Sequence, residues 1–151
     1  MKETLWAAIL ALAVALALSG CYGGGPAPTA TPGSIDDLIA AIVLQDVTVI
    51  HLTSGDAGCP TSSLHQNSVH MVLAIGAQSV SHEVYLMRWK DQADYDTAAS
   101  AFDGCVTEYA ALHAGAQLGR VEFAPWRAFG DFWNPMLRSI IENAMRRVGG
   151  F

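Results

Sequence analysis

The chain has 151 residues, 52% of them hydrophobic, a mean hydropathy of +0.29 and a formal net charge of −6. Such acidity gives no attraction to phosphate backbones or anionic head groups, which excludes nucleic acid as an expected partner and a basic patch as a means of membrane attachment. The positive hydropathy does not imply a membrane-embedded body, because much of it comes from one N-terminal run.

That run, Leu5 to Leu18, follows Lys2 and has the length of a signal-peptide apolar region, too short for a comfortable transmembrane span. It closes on Leu18-Ser19-Gly20-Cys21. The ending resembles the bacterial lipobox, in which a small-residue pair precedes a cysteine that is acylated on sulfur before the signal is cut away. The resemblance covers the first twenty-one residues. It implies that residues 1–20 are a lipoprotein signal peptide, that the mature chain starts at a diacylglyceryl-bearing Cys21, and that the protein sits on the extracytoplasmic face of a cell membrane. Stable anchoring of this kind takes two or more acyl chains. Residues 21–33 continue as a Gly-, Pro- and Thr-rich tether without apolar periodicity, with a reach on the order of 20 Å. Residues 34–151 suffice for one ordinary domain and not for two.

Ser34 is placed to cap a helix, with Asp37 three residues on as in a capping box and Ile35, Leu38, Ile39 and Ile42 on one face. Val47 to Thr53 is β-branched and predicts the first strand, and Ser54 to Ser63 reads as a loop. Val69 to Ile75 and Glu83 to Lys90 predict a hairpin. Asp91 to His113 carries a helical stripe of Tyr95, Ala98, Ala99, Phe102, Cys105, Val106, Tyr109 and Leu112. Arg120 to Trp126 predicts a short last strand, suited to an edge because Pro125 interrupts it. Asn134-Pro135 starts a final helix with Leu137, Ile140, Ile141, Ala144 and Val148 inward, and Arg146 and Arg147 at its C-terminal end. The expected fold is α+β, in the order α-β-β-β-α-β-α, with a mostly antiparallel four-stranded sheet and packed helices.

With Cys21 set aside, Cys59 and Cys105 are an even pair in a disulfide-permissive compartment, and Cys105 lies on the inward stripe of its helix. A bond between them would clamp the loop after the first strand onto that helix. Its loop-closure stabilisation is about 4 kcal/mol.

The five histidines show no metal-ligand spacing, so neither metal nor cofactor is expected. Asp56, Ser62, Ser63 and His65 include the residue types of a nucleophilic triad, without a nucleophile elbow, and read as an ordinary polar loop. Pro125 to Pro135 concentrates rings and a cation between strand and helix, which marks Trp126, Arg127, Phe129 and Trp133 as a candidate binding surface. The competing reading is that these rings close the core. The second and third strands are apolar on both faces, so either a helix covers each face or one face binds something.

The functional expectation is a noncatalytic, lipid-anchored domain that binds a protein or small molecule. The alternatives are a purely structural envelope lipoprotein and a small extracytoplasmic enzyme, the last disfavoured because no acid, base and nucleophile converge by spacing.

Overall fold

The computed structural model describes residues 33–77 and 80–150. The apolar run, Cys21 and the linker up to residue 32 lie outside them. The elements in chain order are α1 (Ile35–Val43), β1 (Val47–Ser54), α2 (Ser62–His65), β2 (Ser68–Ile75), β3 (Ser81–Arg88), α3 (Gln92–Thr97), α4 (Ala99–Leu112), β4 (Gly119–Phe123), β5 (Trp126–Gly130) and α5 (Pro135–Val148).

The fold is α+β, built on one antiparallel sheet in the order β1-β2-β3-β5-β4. The sheet has five strands where four were expected. Arg120 to Trp126 is not one interrupted strand: the chain turns at the cis Ala124-Pro125 bond and returns as β5, which inserts between β3 and β4. Proline here ends one strand and starts the next, and β4 alone is the edge. The long helix expected over 91–113 is two, since Ala98 caps the end of α3 and the start of α4. The loop after β1 also winds into the single turn of α2.

Local chemistry accounts for the ends of the two long helices that flank the sheet. The Ser34 hydroxyl accepts from the Asp37 amide at 3.1 Å while the Asp37 carboxylate accepts from the Ser34 amide at 2.8 Å, a complete capping box on α1. The bonds that the carboxylate accepts from the Ser34 amide and from the Ser34 hydroxyl, 2.8 Å each, hold the exposed Asp37 carboxyl below its ordinary range. In α5, Asn134 accepts from the Leu137 amide, and Pro135 occupies the first turn, where its missing N–H costs no bond.

One sheet face is covered by α1 and α5, which pack on each other and are tied by Gln45, whose Nε2 donates to the carbonyls of Ala41 and Ile140. Val69, Met71, Leu73, Ile75, Val84 and Leu86 point into this inner layer with Leu38, Ile42, Leu137 and Ile141. The opposite face is covered in part. Helices α3 and α4 lie over β3 and β5, where Tyr85, Met87, Trp89 and Phe129 meet Phe102, Cys105 and Tyr109. Cross-strand pairing puts Thr48, His51 and Thr53 of β1 on that same outer face as Ala74, Val72 and His70 of β2 and Glu83 of β3, and there no helix covers them.

Candidate functional site

The outer layer is organised by the disulfide between Cys59 and Cys105, whose Cα atoms are 5.4 Å apart. It fixes the loop after β1 against α4, as parity and the inward position of Cys105 had led one to expect. Gly58 then rests on the Tyr85 ring so closely that a Cβ would come within 2.9 Å of ring carbons, and its φ of +72° also favours glycine. Asp56 accepts from the Gly58 amide at 2.9 Å, which turns the loop and aims the carboxylate at the sheet.

There it meets His70. The imidazole Nδ1 lies 3.4 Å from an Asp56 oxygen, and Nε2 is in close contact with Glu83 on the neighbouring strand. A ring facing a carboxylate on each side donates to both only as imidazolium. His70 stacks on Tyr85 with centroids 4.5 Å apart, Tyr85 meets Tyr109 edge to face at 5.2 Å, and Tyr109 stacks on His113 at 3.9 Å. His113 Nδ1 in turn lies 2.7 Å from the buried Asp131 carboxylate. Four rings from β2, β3 and α4 thus form one continuous array, with carboxylates at both ends.

Burial pushes the Tyr85 hydroxyl up to about 12, with the Asp56 and Glu83 charges adding to it. Tyr109 moves in the same direction, again chiefly through burial, with Tyr85 and Asp131 contributing. Both phenols therefore stay neutral at ordinary pH and serve as rigid supports for the histidines they stack on. At the outer margin His51 Nε2 and the Thr53 hydroxyl are 2.7 Å apart, and the His51 ring stands edge-on to His70 with centroids 6.1 Å apart.

This arrangement presents fixed donors and acceptors. Among the described residues no hydroxyl or thiol is hydrogen-bonded to His70 or His113, and no cluster of three or more His, Cys, Asp or Glu side chains is arranged to hold a metal ion. His65, a member of the triad-like loop, donates from Nε2 to the Cys59 carbonyl at 2.8 Å and plays a part in shaping that loop.

The aromatic segment corrects the expected binding surface. Trp126, Arg127 and Phe129 lie on β5 and Trp133 follows it, and they are 0%, 4%, 0% and 4% exposed. Strand insertion is the physical reason: β5 is flanked on both sides, so its side chains fill the two layers. Trp126 and Trp133 enter the inner layer, where the Trp133 indole donates to the Glu83 carbonyl at 2.8 Å. Phe129 enters the outer one. Arg127 lies over the Tyr95 ring at 4.0 Å with Trp89 and Phe102 beyond, and pairs with Glu122 at 3.0 Å. Of the rings in this stretch, Phe132 is the exposed one.

Sequence reasoning passed over His70, Glu83, Tyr85, Tyr109, His113 and Asp131 as a set. One signal was present: Tyr109 and His113 are four residues apart on a helix, a spacing that brings two rings face to face. A second signal is charge segregation. Residues 33–87 hold Asp36, Asp37, Asp46, Asp56 and Glu83 and no Lys or Arg, whereas 88–151 carry seven Lys or Arg against eight Asp or Glu. The uncovered half of the outer face therefore belongs to the part of the domain where nearly all of the net negative charge resides. Compared with protein-family models, with curated proteins and with solved structures, the chain matches none.

Proposed function

We propose that the chain is a noncatalytic binding domain, held at the extracytoplasmic face of a membrane by lipid on Cys21, and that it binds through the uncovered half of its outer sheet face. The observation that carries the binding reading is the array from His70 to His113. Buried tyrosines and a disulfide hold polar side chains rigidly at the margin of a face that is otherwise open, which is the preorganisation that binding rewards. The anchoring half of the reading rests on the apolar run and the Leu18-Ser19-Gly20-Cys21 ending. It is consistent with a chain whose described residues contain no helix long and apolar enough to cross a membrane. The chain enters the domain at Gly33, whose amide donates to the Val148 carbonyl of α5 at 3.0 Å, so a tether would arrive on the helix-covered side and leave the open face turned away from its attachment.

Two measurements on the full chain in a bacterial host test this. Cys21→Ser is expected to retain its signal or to leave the membrane fraction, and unchanged mass and partition would reject the anchor. A photo-crosslinking residue at Thr53, on the open face, is expected to give discrete adducts in cells that the same residue at Glu142 does not. Equal labelling at both positions would reject the open face as the binding surface.

A further inference from the structure

We infer that the free edge of β1 is a docking strand for an extended segment of another protein, one in which basic side chains alternate with apolar ones. The inference deepens the binding reading above and rests on it.

The two edges of the sheet are not equivalent. β4 is five residues long, carries Arg120 and Glu122, and ends at the Ala124-Pro125 turn, all features that discourage a further strand. β1 spans eight residues, Val47–Ser54, with no charged residue and no proline. It is exposed over most of its length, and no strand pairs with its outer side in the described sheet. An edge of this kind offers a row of main-chain donors and acceptors to an incoming strand.

Side chains beside that edge dictate a pattern. Leu52 pairs across with Met71 and so lies on the helix-covered side, where it is 49% exposed, and the bulged residue Ile50 is 60% exposed. With Asp36, Ile39, Ala40 and Val43 of α1 and Leu44 just after it, Leu52 lines a shallow, mostly apolar depression of about 540 Å³. His51 and Thr53 lie on the other side, facing the open half of the sheet. An added strand would direct alternate side chains to these two sides, apolar ones over Leu52, Val43 and Leu44, polar ones toward His51 and Thr53.

Charge selects the occupant. Asp46 immediately precedes β1 and Asp56 closely follows it, within a stretch of 55 residues, 33–87, that has no Lys or Arg. A second copy of this chain would set acid against acid across the junction, and an anionic lipid surface would be repelled. A basic strand gains on both counts.

The test uses the full chain in detergent micelles, titrated with a capped peptide of alternating Lys and Val matched to β1 in length. Expected are slowed amide exchange and shifted resonances along Val47–Ser54. Affinity should fall about fivefold or more for Leu52→Lys, and likewise for the pair Asp46→Asn and Asp56→Asn, which keep the backbone preferences and the Gly58 bond. An alternating Glu and Val peptide should not bind, nor should the Lys peptide with alternate valines changed to proline. Failure of the Lys peptide to bind overturns the proposal. So does equal binding of the proline peptide, a perturbation centred away from β1, or a free chain that sediments as a dimer with β1 amides already protected. If crosslinks at Thr53 persist in cells carrying Leu52→Lys, the edge is rejected and the open-face reading stands. If they never form, both fall.

Discussion

The two sides of the sheet are stabilised by different means. Among the described residues the inner layer holds nineteen buried hydrophobic ones, almost all aliphatic apart from Trp126 and Trp133, and no disulfide. The outer layer holds nine, five of them aromatic, and its cover is the short α3, the longer α4 and a loop. An area of that size supports less hydrophobic stabilisation, and the outer layer adds what the inner one lacks: the Cys59–Cys105 bond, stacked rings and a caged arginine. The less apolar side is also the one that carries polar groups to the surface. A layer held by directional contacts can position donors and acceptors in a way that a purely aliphatic layer cannot.

The largest test of the contrast is Trp126→Ala, which empties a fully buried ring site in the inner layer and should cost about 3 to 5 kcal/mol of global stability by chemical denaturation. Replacing Cys59 and Cys105 together by Ala should cost about 2 to 4 kcal/mol. Its signature is local. Amide exchange should accelerate in the loop 55–61 and in α4 well before α1 and α5, and uniform acceleration would mean that the layers are not separable. Arg127→Lys keeps the charge but forfeits the flat stacking on Tyr95, and about 1 kcal/mol of loss is expected in the outer layer. No loss would show the aromatic cage to be energetically idle.

The last effect is absent at neutral pH and confined to alkaline pH. Folded Tyr85 keeps its proton up to about 12 while an unfolded phenol releases it near 10, so between those values the folded chain binds more protons. Stability from this group is fully present below about pH 10 and is lost as pH rises toward about 12. Tyr85→Phe should flatten that slope in alkaline denaturation curves whatever it does to stability at neutral pH.

The parts of this organisation that were legible in the sequence are those written locally. The capping box at Ser34, the Asn134-Pro135 helix start, the hairpin of β2 and β3 and the parity of Cys59 and Cys105 each depend on neighbours in the chain or on a simple count. The turn at Pro125 was not legible because a proline inside an apolar run reads equally as an interruption or a reversal. The aromatic segment was misassigned for a related reason. Its burial depends on Gly119 and Gly130, paired across β4 and β5, where a Cβ would fall 2.1 Å from Trp133 and 1.8 Å from the Glu83 carbonyl respectively. Space left by an absent side chain does not show in a list of rings. The break at Ala98 has no glycine or proline to announce it. The His70 constellation was illegible because its carboxylates, Asp56 and Glu83, reach it through a clamped loop and a strand register.

The bond from the Gly33 amide to the Val148 carbonyl brings the two ends of the domain together at 3.0 Å. Topologically the fold is close to a closed ring, and the place where the chain happens to be open is incidental to its packing. A load applied through a leader at residue 33 would reach the last turn of α5 before it reached any strand. Any pull at residue 33 is met first by α1 and α5, and the sheet lies behind them.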